Sequence, residues 1–369
     1  MAAFGKTKPA SLGATLALIV ALGFSITGCG GSGGGGTQGP SKAGPGLWVP
    51  NFFGYIVTAF NSKQRRKSGS PDAALTNASS AIDSPEDALF DASGNLWLTN
   101  CSDAINGAGQ ILEFTHDQLK KLSKDDAPNP AQTLSDDGSF NIFGCPYGAA
   151  FGSDGSLWAA NRFSADLVNF TPSQLSEGGV QYPNTKISSD SFGQLEGIQF
   201  DSAGTLWIAD VLNSEVFGFK AATLTAAEGT NADLTPDIIN SSASIIGPTD
   251  VLVDSSGNQW VSNCLADTVV EFAAGDIAES GSPTPIVVLS ATSVGNSSSL
   301  SCPEGMAFDK GGNLWVSNAL SDNFGSIVQF TAAQIGASGS PAPNIFLDSN
   351  STGTNLDQPA LFSFGPSVD

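Results

Sequence analysis

Six copies of one phrase, each carrying one of the chain's six tryptophans, predict an all-β fold: a six-bladed β-propeller. The complete copies cover residues 90–100, 151–161, 200–210, 253–263 and 308–318, and a shorter copy covers 46–51. Successive tryptophans are 49 to 61 residues apart. A repeat of this length holds about four strands, so six copies predict six four-stranded blades that pack side by side as one domain.

Each repeat supplies the four strands in a fixed order. In the copy that begins at Cys302, Pro303–Asp309 alternates and predicts an inner strand, and Leu314–Ser317 predicts the second strand. Ser326–Phe330 follows as the third strand and Pro343–Leu347 as the outer strand. Asp309 to Gly312 is a tight turn, in which the carboxylate accepts backbone N–H groups and a glycine takes positive φ.

The two ends of the chain are predicted to close the ring together. Residues 46–82 supply second, third and outer strands but have no inner strand before them. Gln358–Phe364 has the inner-strand pattern, and the chain then stops. Pairing this segment with residues 47–50 would complete the sixth blade and leave the ring without an open edge.

The first 45 residues are predicted to be a targeting segment and a linker. Lys6 and Lys8 precede an apolar stretch, and Ile26-Thr27-Gly28-Cys29 resembles the processing box of bacterial lipoproteins. That resemblance implies a signal peptide over 1–28, lipid on Cys29, a flexible Gly-rich tether to residue 45 and a propeller over 46–369. The alternatives are an ordinary signal peptide and an uncleaved anchor. The expected location is the bacterial cell envelope, outside the cytoplasm and attached to a membrane through Cys29.

Charge excludes nucleic acid as an expected partner. The chain carries 14 basic and 35 acidic residues, for a net charge of −21. Removal of residues 1–28 would take away two lysines and no acid. A surface this negative repels phosphate backbones.

The cysteines recur at two equivalent positions. Cys101 and Cys264 each follow the last residue of a second strand, and Cys145 and Cys302 each precede the next inner strand. These two kinds of loop meet on one face of a propeller, so we predict the disulfides Cys101–Cys145 and Cys264–Cys302, which an extracytoplasmic location permits. The alternative, a four-thiolate metal site, requires two pairs that lie three blades apart to meet.

The repeat resembles the six-bladed propellers of the NHL and gluconolactonase/regucalcin types, in which an inner strand of the form P-x-G precedes G-x-φ-W/Y-V-x-D/N. The variable x residues should line the mouth of the central channel; around the ring they are Ala360, Glu86, Tyr147, Glu196, Thr249 and Glu304. In gluconolactonase-type propellers this position carries the ligands of a divalent cation. The resemblance therefore implies a Ca²⁺ site formed by Glu86, Glu196 and Glu304, with Asp87, Asp250 or Asn161 as further ligands. The alternative is that the three glutamates only line a wet channel mouth.

Other polar and aromatic positions point to binding or to packing. Tyr147, Asn161 and Asp250 are the candidate ligand-binding residues. The tryptophans are flanked by strand residues and are expected to pack between blades rather than to bind sugars. The polar residues that end the second strands are expected to form turns.

Histidine chemistry is not expected at the centre. Streptogramin-lyase-type propellers, which the repeat also resembles, use central histidines, whereas the single histidine, His116, follows a third strand. A Ser-His-Asp triad is therefore not expected. The leading interpretation is a non-enzymatic module that binds a small molecule, a glycan or an envelope protein through its loop face. The alternatives are a metal-dependent hydrolase of the lactonase type and a structural envelope scaffold.

Overall fold

Six β-sheets follow one another around a ring in the computed structural model of the protein, as the repeat predicts. The model describes residues 46–101, 109–122, 126–136, 142–295, 297–319, 325–349 and 356–366. Blades 1 to 5 begin with the inner strands that start at residues 85, 146, 195, 248 and 303. Blade 6 is built from both ends of the described chain. The all-β, six-bladed prediction is confirmed.

Within each blade, neighbouring strands in the sequence pair antiparallel. The inner strands are Pro85–Phe90, Pro146–Phe151, Leu195–Phe200, Pro248–Val253, Pro303–Phe308 and, for blade 6, Ser363–Gly365. The second strands are Leu96–Asn100, Leu157–Asn161, Leu206–Asp210, Gln259–Asn263, Leu314–Asn318 and Gly46–Asn51. The third strands are Gln110–Phe114, Asp166–Phe170, Glu215–Phe219, Thr268–Phe272, Ser326–Phe330 and Ile56–Phe60. The outer strands are Gln132–Ser135, Thr185–Ser188, Ile238–Asn240, Val287–Ser290, Ile345–Asp348 and Leu75–Asn77.

The sixth blade closes as predicted. Leu47 pairs with Phe364 and Trp48 with Ser363. The indole N–H of Trp48 donates to the carbonyl of Pro366 at 3.2 Å. The ring is therefore held shut by the two ends of the propeller.

The blades protect their outer edges in a way that the sequence did not predict. Two sheets have five strands rather than four, because Gly179–Val180 and Asn231–Asp233 each pair in parallel with the outer strand of the preceding blade. Single parallel bridges occupy the same place in the other blades; they join Asn77 to Asp126, Asn240 to Gly281, Leu289 to Gly339 and Gly69 to Leu347. Covering an outer strand removes a free edge that could pair with another molecule.

Hydrophobic cores lie between the blades. The buried apolar residues form six clusters, and each cluster combines side chains from two neighbouring blades. Four of the tryptophans meet the phenylalanine of the next blade edge to face, at ring-centroid distances of 5.8–6.1 Å. The prediction that the tryptophans pack between blades is confirmed.

In four of the six blades, the turn after the inner strand holds the tryptophan by a hydrogen bond. In blade 5, Asp309 Oδ1 accepts from the backbone N–H groups of Gly311 and Asn313, and Asp309 Oδ2 accepts from the indole N–H of Trp315 at 3.0 Å. Blades 1, 3 and 4 make the same indole bond, at 2.9–3.3 Å. The predicted turn is present. The sequence did not predict the hydrogen bond from the indole to the turn aspartate.

Within the described ranges, helix is confined to short segments. The α-helices are His116–Leu119, Pro172–Glu177 and Ala221–Ala227, and the 3₁₀ turns are Gln64–Arg66 and Cys264–Ala266. Thr115 and Thr171 begin the first two α-helices with a capping box, each paired with a glutamine three residues later. No described helix has the length and apolar character needed to cross a membrane. The predicted signal peptide, the tether and Cys29 lie outside the described residues and stay predictions.

Candidate functional site: the channel mouth

The segments at the start of the inner strands meet at one mouth of the central channel. Glu86, Tyr147, Glu304 and Ala360 line a cavity of about 90 Å³ there. Tyr147 and Glu304 belong to opposite blades, and the phenolic O–H of Tyr147 donates to Glu304 Oε2 at 2.8 Å. This bond spans the ring, which explains why the cavity is small.

Arg162 brings a positive charge into this ring of acids. Its Nη2 lies 3.0 Å from Oε1 of Glu196, which is 1% exposed. Its guanidinium carbon lies 5.1 Å from the centre of the Tyr147 ring, a cation–π distance. Arg162 therefore holds both the glutamate and the tyrosine.

Arg162 was not among the predicted site residues. The signal was present: at the position after the second strand, the other blades have Phe52, Cys101, Val211, Cys264 and Ala319. A single arginine at a position that is uncharged in the other five blades indicates that this position has a different role in blade 2.

Burial governs the acid–base properties of the mouth. It raises the pKa of Glu86 well above its ordinary value, against the lowering effect of the Arg162 charge. Burial and the nearby charge of Glu304 raise the pKa of Glu196 in the same direction. Burial also raises the pKa of Tyr147, so its O–H stays protonated and can donate. Glu196 Oε2 is buried without a hydrogen-bond partner in the described part of the chain, and so is Arg162 Nε.

The predicted calcium ligands are only partly available in this arrangement. Glu86, Glu196 and Glu304 do face one mouth, as expected from their place in the repeat. However, Glu196 is paired with a guanidinium and Glu304 accepts from a phenol. Arg162 thus stands as a cation among the carboxylates, and a Ca²⁺ ion, which takes six to eight oxygen ligands, would require Arg162 and Tyr147 to move. The side chains as placed do not fit the ion, and calcium binding stays a prediction.

Both predicted disulfides are present, and both lie beside this mouth. Cys101 bonds to Cys145, 44 residues later, and Cys264 bonds to Cys302, 38 residues later. All four cysteines are therefore oxidised, which rules out the four-thiolate metal site. Glu304 Oε1 lies 3.4 Å from Cys302 Sγ. Each disulfide joins two neighbouring blades at the loops that carry the site.

Asp250 does not reach the mouth. Asp250 and Asp87 occupy the next position along their inner strands, on opposite blades, and line a cavity of about 860 Å³ at the other end of the channel. Asp87 accepts from the backbone N–H of Ala149 and Asp250 from that of Met306, at 2.9 and 2.8 Å. Each carboxylate thus fastens its blade to the next one. Burial raises the pKa of Asp87 to about 7 and that of Asp250 well above its ordinary value.

Asn161 is part of the loop framework rather than of the cavity wall. Its amide N–H₂ donates to the carbonyl of Ile142 at 2.8 Å and to Asp166 at 2.6 Å. Asn100, Asn263 and Asn318 likewise connect the end of a second strand to the loop before the inner strand. The prediction that these residues serve the turns agrees with these bonds, and ligand binding by Asn161 stays a prediction.

Exposed apolar side chains lie on the same face as the mouth, in loops of blades 2, 3, 4 and 6. Nine large hydrophobic residues of the described chain are exposed, and six of them lie in loops on this face: Phe53, Tyr55, Phe163, Leu212, Ile246 and Leu265. We call these six the apolar crown. Leu212 and Leu265 are 66% and 72% exposed. Backbone bonds such as Phe163 N–H to the Gly144 carbonyl tie the crown loops to the loops before the inner strands. Exposed apolar side chains gathered on one face are typical of protein-binding surfaces.

No protein-family model and no curated protein matches this chain. Solved structures of similar fold do match it. The periplasmic gluconolactonase of Pseudomonas aeruginosa is 12% identical, with a TM-score of 0.57 over 88% of this chain and 99% of that one. A putative 6-phosphogluconolactonase from Bacteroides uniformis is 13% identical, with a TM-score of 0.51 over 84% of each chain. A streptogramin B lyase is 12% identical, with a TM-score of 0.51 over 87% of this chain and 84% of that one. At these identities the likeness shows the fold alone.

Proposed function

We propose that the protein is a non-enzymatic binding module that holds a partner protein against its loop face. The observation that carries the proposal is the apolar crown beside an acidic mouth. A cavity of about 90 Å³ is well below the roughly 300–1,000 Å³ of small-molecule pockets. It suits one side chain of a partner, while the crown contacts the surface around that side chain.

The charge of the mouth selects what enters it. Three glutamates face one arginine, and Glu196 Oε2 is buried without a partner among the described residues. A lysine or arginine of the partner would lie beside Glu86 and Glu304, which line the cavity, and would favour the ionised form of the glutamates. The partner surface is therefore apolar around one basic residue.

Photo-crosslinking in the producing cells tests this proposal. A photoreactive residue at position 212 or 265 should capture a partner that the same residue at position 286, exposed but outside the crown, does not capture. The purified partner should then bind the purified propeller. The double variant Phe163→Ser/Leu265→Ser should weaken that binding at least about tenfold, because truncated hot-spot residues cost 1 kcal/mol or more each. The matched control Val180→Ser/Ile286→Ser should bind normally.

Two results would reject the binding module at this face. One is equal capture from positions 212, 265 and 286. The other is a double crown variant that binds the purified partner as tightly as the control does. Melting temperatures of both double variants should agree, which separates lost binding from lost folding.

A metal-dependent hydrolase of the lactonase type is the second candidate. The convergence of Glu86, Glu196 and Glu304 on one mouth favours it, and the Arg162–Glu196 and Tyr147–Glu304 contacts oppose it. We expect no difference in melting temperature between Ca²⁺ and chelator, and no hydrolysis of a panel of sugar lactones. A calcium-dependent increase in melting temperature that Glu304→Gln abolishes, together with turnover, would replace the binding module with the enzyme.

We further propose that lipid on Cys29 attaches the propeller to a membrane outside the cytoplasm. The processing-box pattern at residues 26–29 supports this location, and so do the two disulfides, which persist in oxidising compartments. The protein should enter the detergent phase on Triton X-114 partition, and Cys29→Ala should leave it in the aqueous phase. An unchanged partition would contradict lipidation at Cys29.

A further inference from the structure

One tryptophan lacks the bond that ties down its counterparts. Gly152 stands in blade 2 where blades 1, 3, 4 and 5 have Asp91, Asp201, Asp254 and Asp309. The carboxylates of those four blades accept from the indole N–H. Trp158, 6% exposed, makes no such bond, and its indole N–H has no acceptor in the described part of the chain. Asp154, two residues after Gly152, accepts from Ser156 instead.

A cleft occupies the space where the missing carboxylate would lie. It has a volume of about 490 Å³, and both Gly152 and Trp158 line it. The cleft lies between blades 2 and 3, at the turns between inner and second strands, and thus at the opposite edge of the blades from the apolar crown. Its size is within the usual range of small-molecule sites.

The walls of the cleft combine apolar and acidic groups. Phe200 and Leu224 supply apolar surface beside Trp158. Asp154 reaches the cleft from blade 2, and Glu228 reaches it from blade 3. The cleft therefore offers an aromatic donor on one side and carboxylate acceptors on others.

We propose that this cleft binds a neutral saccharide of one or two sugar units. A sugar hydroxyl both donates and accepts, so one hydroxyl can accept from Trp158 while others donate to Asp154 and Glu228. The C–H faces of the ring pack on Phe200 and Leu224. An anionic ligand is disfavoured because the carboxylates repel it, and a purely apolar ligand would leave the indole N–H unpaired. The site is separate from the loop face and does not depend on the proposed partner protein.

Saturation-transfer NMR on the purified propeller tests this site with cellobiose, maltose and diacetylchitobiose as probes. At least one disaccharide should receive saturation from the wild-type protein. Trp158→Phe keeps the ring and removes the donor, so it should weaken that binding about two- to tenfold, the effect of one hydrogen bond. Trp97→Phe is the matched control, because Trp97 donates to Asp91 in the same way and neither residue lines the cleft; it should bind normally.

Gly152→Asp should abolish binding, because it restores the carboxylate of the other blades, which would accept from the Trp158 indole N–H in place of the sugar. A Cβ at this position would lie 2.7 Å from Asp154 Oδ1 and 3.0 Å from Ser156 Oγ, both ends of side chains that can turn aside. If Gly152→Asp does not fold, Trp158→Phe still decides the matter. The proposal is overturned if none of the three disaccharides receives saturation, or if Trp158→Phe and Trp97→Phe bind the probe equally.

Discussion

The buried carboxyl of Asp87 should make the stability of the propeller depend on pH, and Asp87→Asn should remove part of that dependence. Burial raises the pKa of Asp87 from 3.8 to about 7, mainly through loss of hydration. The folded protein therefore holds this proton more tightly than the unfolded chain. The resulting stabilisation is complete below the unfolded pKa, near 4, and is lost as the pH rises through about 7.

The size of the effect follows from these two pKa values. Each unit of difference is worth about 1.4 kcal/mol, so the contribution of Asp87 should fall by about 3 kcal/mol between pH 5 and pH 8. Asparagine does not titrate and keeps an oxygen to accept from the Ala149 N–H. In Asp87→Asn, the loss of unfolding free energy between pH 5 and pH 8 should therefore be smaller by about that amount.

Urea denaturation with both disulfides intact measures the difference, at pH 5, 6, 7 and 8. Burial also raises the pKa values of Glu86, Glu196 and Asp250. These groups should lower the stability of both the wild type and the variant as the pH rises. Comparison with the variant isolates Asp87. Asp117→Asn, in which the replaced carboxyl is 82% exposed, should follow the wild type. Wild type and Asp87→Asn that lose equal stability from pH 5 to pH 8 would refute the reasoning.

Three further predictions concern the fold. Cys264→Ser/Cys302→Ser should lower the free energy of unfolding by about 4 kcal/mol in urea denaturation at pH 6, because it opens a closed loop with a sequence separation of 38. A loss below about 1 kcal/mol would contradict the crosslink. Phe362→Ala should cost about 3–5 kcal/mol in the same assay, because the ring is 5% exposed and belongs to the cluster that joins blades 5 and 6; an unchanged midpoint would argue against closure through the C-terminal segment. Gly197→Ala should lower the free energy of unfolding by about 1–3 kcal/mol, because its Cβ would lie 2.5 Å from Asp250 Oδ1 and 2.8 Å from the Thr249 carbonyl oxygen. Full stability of the variant would show that the neighbouring inner strands can move apart.

The ring and its disulfides could be predicted because the repeat fixes which face each loop occupies. Each second strand ends on the face of the ring on which the inner strand of the next blade begins. Cys101 and Cys145 therefore lie on one face. The closure followed from the same register, since residues 46–51 lacked an inner strand and the C-terminal segment matched one. Two-residue edge strands such as Gly179–Val180 were missed because so short a segment has no periodicity to recognise.

The candidate site could be predicted only in part, because its contacts join different blades. Position in the repeat places Glu86, Glu196 and Glu304 at the mouth, and they are there. It does not say that a side chain from a second-strand loop will reach among them, as Arg162 does. Nor does it say that Tyr147 will bond across the ring to Glu304, since each of the two residues looks like one more variant of the same position.

That bond follows from the symmetry of the molecule. Half a turn of the ring relates blades 1 and 2 to blades 4 and 5. The two disulfides follow this relation, and so do the bonds from Asp87 and Asp250 to the next blade. The hydroxyls of Thr99 and Ser262 follow it as well, since they donate to the carbonyls of Tyr147 and Glu304. The same half turn carries Tyr147 onto Glu304. Two glutamates facing each other at these positions would repel when ionised, whereas a phenol and a carboxylate bond. The mouth is therefore closed by the pair from blades 2 and 5, whose members differ as donor and acceptor. Arg162, which packs on the tyrosine, belongs to the half that carries the donor.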